Sequence, residues 1–418
     1  MRGIIINPLL SQRLALSSLF RFLFSVAAKG YYFIAKNINA IAFIGFVAGY
    51  FFVLSSSFSE PFPREASGLS AAMLAFAIGF PVRYLTRKIG WLDQPSGRKN
   101  HAYAVPLGGG IVIVVGILGG AITSKILSPT IAFERSKEIA FGLGLFLTLA
   151  LGIFDDIKNL SAGKKLFCQL AIGLMMWFLG FKIQKFSVPF MGSVDIGFLS
   201  LFLTVFWYAA LMNALNLIDG LDGLACGIAA IAAITILGIA SIWASKPSFL
   251  YSAVFIGACL GFLPHNFHPA RIFLGDAGSL VLGFCLATLT LETGTKSHAF
   301  LALLIPLLAV FLPVADAIYA FMRRIANGTS PFKGDRKHLH HRLVAIGLSK
   351  RRAVIILYYI SVLSGVLAYL LSKSSPGAIL VVVALFIGGF FLFIQSIVKI
   401  QRANIDNLKN RKRKLKPL

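Results

Sequence analysis

Residues 211–240 read LMNALNLIDGLDGLACGIAAIAAITILGIA. From Leu224 onward the stretch is apolar for about the 20 residues that a helix needs to cross a bilayer core. Its first half closes a second apolar run, and polar residues stand where the two meet. Asn213, Asn216 and Asp219 recur at three-residue spacing, which places them near one helix face. Asp222 follows, and Gly220 and Gly223 interrupt the helix. Polar side chains at the end of an apolar helix are costly, so they mark a site rather than a plain connection. The D-G-x-D-G string lacks the ligand pattern of an EF-hand loop.

Working outward, apolar runs of the same kind lie near 41–57, 68–85, 107–127, 138–153, 165–181, 197–215, 224–243, 249–264, 277–295, 299–322, 353–371 and 376–398. The fold class expected is an all-α polytopic membrane protein. Composition agrees: 57% of the 418 residues are hydrophobic and 13% charged, with a formal net charge of +25. A chain this apolar is not disordered. Its four cysteines, Cys168, Cys226, Cys259 and Cys285, sit inside apolar runs at no metal-binding spacing, which excludes a disulfide scaffold. The basic excess does not make it a soluble nucleic-acid binder, and no nucleic-acid partner is expected. Nor is there a cleavable signal-peptide shape or an internal repeat.

The charges divide by side. With a cytoplasmic N-terminus, 30 of the 40 Lys and Arg fall on the cytoplasmic side and nine on the other, with Arg83 inside a helix. Both termini are then cytoplasmic. All five Glu fall outside with Asp195, and the remaining nine acids are all Asp on the cytoplasmic side. Ordinary solvated loops mix the two types, so this set of short carboxylates reads as arranged for a task. Three parts are expected: residues 1–67 as an extension with one extra span, 68–400 as the membrane domain, and 401–418 as a basic tail held by anionic headgroups.

Four further cytoplasmic stretches carry chemistry. In LDQPSGRKNHAYAVPLGGG (92–110), Gly108, Gly109 and Gly110 open a helix, as either a phosphate-binding N-terminus or a helix-packing contact. In FDDIKNLSAGKKLFCQ (154–169), Asp155 and Asp156 form a metal site, a general base, or a helix-end pair neutralised by Lys158 and Lys165. In HNFHPARIFLGDAGSL (265–280), Asp276 is a metal or phosphate ligand among small neighbours and equally a helix N-cap. In SPFKGDRKHLHHRL (330–343), His338, His340, His341 and Arg342 fit a cationic cradle for a diphosphate better than a zinc site, which no Cys or Glu completes. Together they suit phosphate transfer between a soluble polyanion and a membrane-held acceptor, with a divalent cation.

These five loops, in this order, resemble the polyprenyl-phosphate N-acetylhexosamine-1-phosphate transferases (glycosyltransferase family 4) over residues 68 to 400. His-x-His-His-Arg after SPFKGDR is similar to the WecA- and TagO-like branch, not to the three adjacent histidines of the muramyl-pentapeptide transferases, which remain the alternative, with a transporter as the rival of another class. The resemblance implies eleven core spans, a cytoplasmic-face active site in a bacterial inner membrane, and a homodimer. The implied reaction takes a UDP-N-acetylhexosamine, foremost UDP-GlcNAc, and undecaprenyl phosphate to undecaprenyl-diphosphate-GlcNAc and UMP, with Mg²⁺ or in its place Mn²⁺. It implies that Asp276, with Asp156, binds the metal, and that Asp155 and Asp156 position the lipid phosphate. Asn213, Asn216, Asp219, Asp222, Asn266 and Phe273 belong to the nucleotide-sugar site. Lys99 and Lys165 meet phosphate, and His338, His340, His341 and Arg342 clamp the sugar diphosphate.

Overall fold

The computed structural model describes residues 63–94, 104–127, 134–294, 307–326, 328, 338–372, 374 and 376–414, apart from 184, 189–191, 244 and 309. The predicted span at 41–57 and the rest of the extension before Pro63 lie outside the described residues.

Among the described residues twelve helices follow one another: α1 (Pro63–Lys88), α2 (Gly109–Leu127), α3 (Arg135–Lys158), α4 (Ala162–Phe178), α5 (Leu199–Ile218) and α6 (Leu224–Ile242), then α7 (Lys246–Asn266), α8 (Gly275–Gly294), α9 (Phe311–Ala326), α10 (Leu339–Ala345), α11 (Lys350–Leu371) and α12 (Pro376–Lys414). Among the described residues, nine helices are long and apolar enough to cross a membrane. The predicted runs from 68 to 295, and those at 353–371 and 376–398, each meet one helix, and the described part of the 299–322 run includes most of α9, so the chain is an all-α polytopic membrane protein. Two runs that are short as apolar stretches lengthen because their polar ends stay helical. The 249–264 run becomes the 21 residues of α7, with a proline in its first turn, where no N–H is needed. The 138–153 run becomes the 24 residues of α3, which stops where Asn159 turns to φ 50° and donates its N–H to the Asp155 carbonyl at 2.8 Å.

Strand structure among the described residues is confined to two antiparallel ribbons, β1 (Leu92–Asp93) with β2 (Val105–Pro106) and β3 (Lys185–Val188) with β4 (Gly192–Asp195). The first sets Asp93 opposite Val105 just before α2.

The centre of the bundle is α8, which packs against α2, α3, α5, α6 and α7. Of its apolar window 89% is buried, against 17% for the last span, Val381–Gln401. Small residues let α8 sit so deep. A Cβ on Gly110 of α2 would stand 2.7 Å from the Ala277 carbonyl carbon, and one on Gly283 would stand 2.5 Å from Met212 Cα of α5. One on Gly152 of α3 would overlap the Ala277 backbone. The N-terminus of α8 is therefore clamped between α2 and α3. Large apolar side chains such as Phe146, Phe167, Phe206 and Leu385 face outward, as a lipid-facing surface requires.

Candidate active site

A cavity of about 590 Å³, within the usual range for small-molecule sites, opens where the N-terminus of α8 meets the ends of α3 and α5. The polar residues lining it include Asp93, Asp156, Asn216, Asp219, Asp222, Asp276, His268, His341 and Lys350.

Asp156 is built into the frame of the site. Gly275 takes φ +70°, a conformation that L side chains rarely adopt, and so turns the chain into α8. The Asp276 N–H then donates to Asp156 Oδ1 at 2.8 Å and the Ala277 N–H to Oδ2 at 3.2 Å. A carboxylate on α3 thus caps α8 from another helix, satisfying donors that would otherwise be orphaned. Asp155 is buried; its Oδ1 accepts from the Leu160 N–H at 2.8 Å and its Oδ2 meets Lys165 Nζ at 2.5 Å. The same ammonium lies 3.2 Å from Asp276 Oδ2 and donates to Asn216 Oδ1 at 3.3 Å. Asn216 Nδ2 donates to Asp276 Oδ1 and, at 2.9 Å, to Ser279 Oγ. Asp155, Lys165, Asp276 and Asn216 form one connected network of charge-assisted bonds.

The shared helix face at 213–219 divides by depth. Asn216 and Asp219 line the cavity. Asn213, one turn earlier, donates to Gln169 Oε1 at 2.5 Å and to the Ala209 carbonyl at 2.7 Å, tying α5 to α4. Burial pushes the Asp219 carboxyl well above the usual carboxylate range, and the negative charges of Asp276, Asp156 and Asp222 push it further. Asp222 accepts from His268 Nδ1 at 2.7 Å and from the Ala270 N–H at 3.1 Å.

Asn266 braces the loops from beneath. Its Oδ1 accepts from the Gly223 N–H and its Nδ2 donates to the Ile272 carbonyl, both at 3.1 Å. Phe273 lines the cavity, and its backbone is held by the PLGGG segment. The Phe273 N–H donates to the Pro106 carbonyl at 2.9 Å, and the Phe273 carbonyl accepts from the Gly109 N–H at 3.1 Å. The glycines here serve close packing: Gly109 gives its N–H to the protein, and a Cβ on it would stand 2.8 Å from Leu274 Cα.

The histidine stretch splits. His341 reaches the cavity, whereas His338 and His340 are buried. His338 Nδ1 meets Asp316 Oδ2 at 2.9 Å. Among the described residues neither nitrogen of His340 has a hydrogen-bond partner, and the ring packs on Gly220, whose lack of a side chain makes the space. Burial, then the neighbouring His341, lowers its pKa to about 3, so it is neutral. The His338 and His340 rings lie 6.0 Å apart at 7°, and those of His340 and His341 lie 4.1 Å apart. Arg342 turns the other way: it is buried, its Nη1 donates to Gln401 Oε1 of α12 at 3.2 Å, and it stands over the Tyr319 ring of α9 at 5.9 Å. Lys99 lies outside the described residues. His268, Lys350 and Asp316 have no role in the sequence reading. The available signal was Asp316, an acid inside an apolar run.

Five carboxylates line the cavity, facing Lys350, His268 and His341 among the described residues. A phosphorylated ligand entering such a site needs a cation between like charges, and the donors are hard oxygens suited to Mg²⁺. Among the described residues no group of three His, Cys, Asp or Glu is placed to hold a metal ion by itself.

Residues 139–294 match the family model "Glycosyl transferase family 4". The chain is 37% identical over 320 residues, 76% of its own length and 87% of the relative's, to a probable undecaprenyl-phosphate N-acetylglucosaminyl 1-phosphate transferase of Bacillus subtilis (strain 168). It is 35% identical over 316 residues, 70% of its length and 78% of the relative's, to a decaprenyl-phosphate N-acetylglucosaminephosphotransferase of Mycobacterium tuberculosis (strain CDC 1551 / Oshkosh). Against the undecaprenyl-phosphate alpha-N-acetylglucosaminyl 1-phosphate transferase of Escherichia coli (strain K12) the identity is 29% over 321 residues, covering 75% and 85% of the two chains.

Proposed function

We propose a reaction for this chain from one premise: it belongs to glycosyl transferase family 4, alongside polyprenyl-phosphate N-acetylglucosaminyl 1-phosphate transferases. It is a multi-pass membrane enzyme that transfers N-acetylglucosamine 1-phosphate to a polyprenyl phosphate. The relatives' names favour this branch over pentapeptide transfer. The donor in our reading is UDP-GlcNAc and the acceptor undecaprenyl phosphate, used on the cytoplasmic face of a bacterial inner membrane as the first membrane step of a surface glycan. Both termini of the chain lie on that face.

A lipid phosphate oxygen attacks the phosphorus that carries the sugar. The bond from that phosphorus to the bridging oxygen breaks, and UMP leaves with the oxygen. The nucleophile is already an anion, so the residues chiefly position it and stabilise charge. Lys165, held between Asp155 and Asp276, is the cation assigned in this reading to the meeting point of the two phosphates. Asp276 would hold Mg²⁺, together with Asp156 through the lone pairs that its backbone donors leave. The bound ion supplies neutralisation of charge on the diphosphate oxygens. Phe273 offers a ring to the uracil, while Asn216, Asp219 and Asp222 border the nucleotide sugar. His341 and Lys350, which line the same cavity, meet the diphosphate in this reading.

One observation carries this reading: Lys165 joins the acids of α3 and α8 into one network at the cavity. The test is UMP release by the purified full chain, given undecaprenyl phosphate and a panel of UDP-sugars. Release with UDP-GlcNAc that stops on chelation and returns with Mg²⁺ is expected. No release from any UDP-N-acetylhexosamine refutes the reaction.

A further inference from the structure

Asp316 stands in an apolar helix, FLPVADAIYAFM, far in sequence from every motif of the cavity. It is buried, and both of its carboxylate oxygens are engaged. Oδ2 meets His338 Nδ1 at 2.9 Å, and Oδ1 accepts from the Leu339 N–H at 2.9 Å. Leu339 opens α10, a helix of seven residues whose N-cap, His338, makes no capping bond with its own side chain. A helix that short does not hold itself, so its placement depends on what grips it. The grip is a carboxylate on α9. Two residues past Leu339, the same helix carries His341 into the cavity.

We propose that Asp316 is a positioning residue for the transfer reaction, acting through His338 and the start of α10. The inference rests on the reaction proposed above. Asp316 does two things at once. It fixes where α10 begins, and so where His341 stands. It also fixes the polarity of His338. An ionised carboxylate only accepts, so Nδ1 must carry a proton, and in the neutral ring the lone pair falls to Nε2. The His338 ring lies parallel to His340, which in turn contacts His341. The orientation imposed by Asp316 is thereby passed along the three rings by packing.

Asp316→Asn separates this role from a merely structural one. The amide oxygen still accepts from the Leu339 N–H and keeps α10 capped. The amide nitrogen, a donor, forces His338 to accept at Nδ1 and moves the ring proton to Nε2. We expect the variant to be produced and to behave in detergent as the parent does. Its kcat should fall by up to about 10-fold, the low end for groups that orient a working side chain from behind and no more than loss of His341 itself. KM for UDP-GlcNAc should shift less than about threefold, because ground-state binding is retained. In a His338→Ala background the same substitution should cost nothing further, since the two residues act as one unit. The nitrogen spectrum of ¹⁵N-histidine-labelled protein should show a protonated His338 Nδ1 in the wild type and a protonated Nε2 in Asp316→Asn.

Wild-type kcat in Asp316→Asn overturns the proposal, and so does an equal loss in the His338→Ala background. If Asp316→Asn yields no folded protein, the wild-type spectrum decides: an unprotonated Nδ1 refutes the proposal and a protonated one supports it. Wild-type protein that releases no UMP refutes the reaction instead, and the spectrum still reports the Asp316–His338 bond by itself.

Discussion

The aspartate network at the C-terminal end of α3 and the N-terminal end of α8 and the histidine stretch that opens α10 look alike as sequence, since each packs several ionisable residues into a short segment between apolar runs. The fold treats them differently. At the aspartates it leaves five carboxylates lining a cavity and sets Lys165 between Asp155 and Asp276. At the histidines it buries two of three rings, turns Arg342 toward α12 and brings only His341 to the cavity. The first region lines the cavity directly, and the second mainly packs behind it. Proximity in sequence is therefore poor evidence that residues share a task, and the two regions should respond differently to substitution.

The sharpest break in the comparison would be Asp276→Asn. The shape is kept, and the charge facing the cavity and Lys165 is lost. Turnover should drop by roughly 10³-fold or more, the scale of losing a charge-stabilising group, with normal behaviour on size exclusion. Activity near wild type would remove Asp276 from the reaction. Lys165→Met should follow at about 10²-fold, because Asp155 and Asp276 then face each other without their shared cation. Steady-state UMP release measures both. A Lys165→Met enzyme as fast as the parent would show the ammonium to be only a structural bridge.

On the histidine side, His341→Ala should lower kcat about tenfold. Arg342→Gln should change it less than about threefold, because uniform loss of a remote contact leaves the chemical step alone. Arg342→Gln should instead lower the unfolding temperature, since it loosens α10 from α12. If the kinetic effects are reversed, Arg342 belongs to the cavity and His341 to the frame.

The mildest effect is on pH. Burial and three neighbouring acids raise the Asp219 carboxyl above its unfolded value. The folded chain therefore binds this proton more tightly than the unfolded chain does. The associated stability is full below the ordinary carboxylate range and is lost as pH rises through the raised value. Melting curves without divalent cation should show the wild type weakening as pH rises above the ordinary carboxylate range, with Asp219→Asn weakening less. Mg²⁺ should recover more of the wild-type loss at the upper pH. Parallel pH profiles for the two proteins would mean that Asp219 carries its charge throughout.

Much of the site was legible from residue types and their placement. The aspartates at the ends of the apolar runs pointed to this cavity, and the i, i+3 spacing brought Asn216 and Asp219 to it. Three features were not legible. Whether Gly109 binds a ligand or packs is undetermined by a glycine string, because both uses need the same missing side chain; the Phe273 carbonyl and Leu274 decide it. The capping of α8 by Asp156 joins residues 120 positions apart, beyond the reach of any local pattern. The pairing of His268 with Asp222 depends on how two loops fold over Asn266.

By itself, the sequence determined that this chain spans a membrane many times and that its basic residues and most of its aspartates collect in the connections between its apolar runs. Those properties follow from hydropathy, length and charge, which are summed along the chain. Only the tertiary structure decided which polar residues face the cavity and which serve as its frame. Helical periodicity fixes which residues share a face, but packing fixes what that face meets. Here the packing of glycines around α8 sets that outcome: it lets α2 and α3 close on the helix start, puts Asp276 at the cavity and commits Asp156 to holding it there.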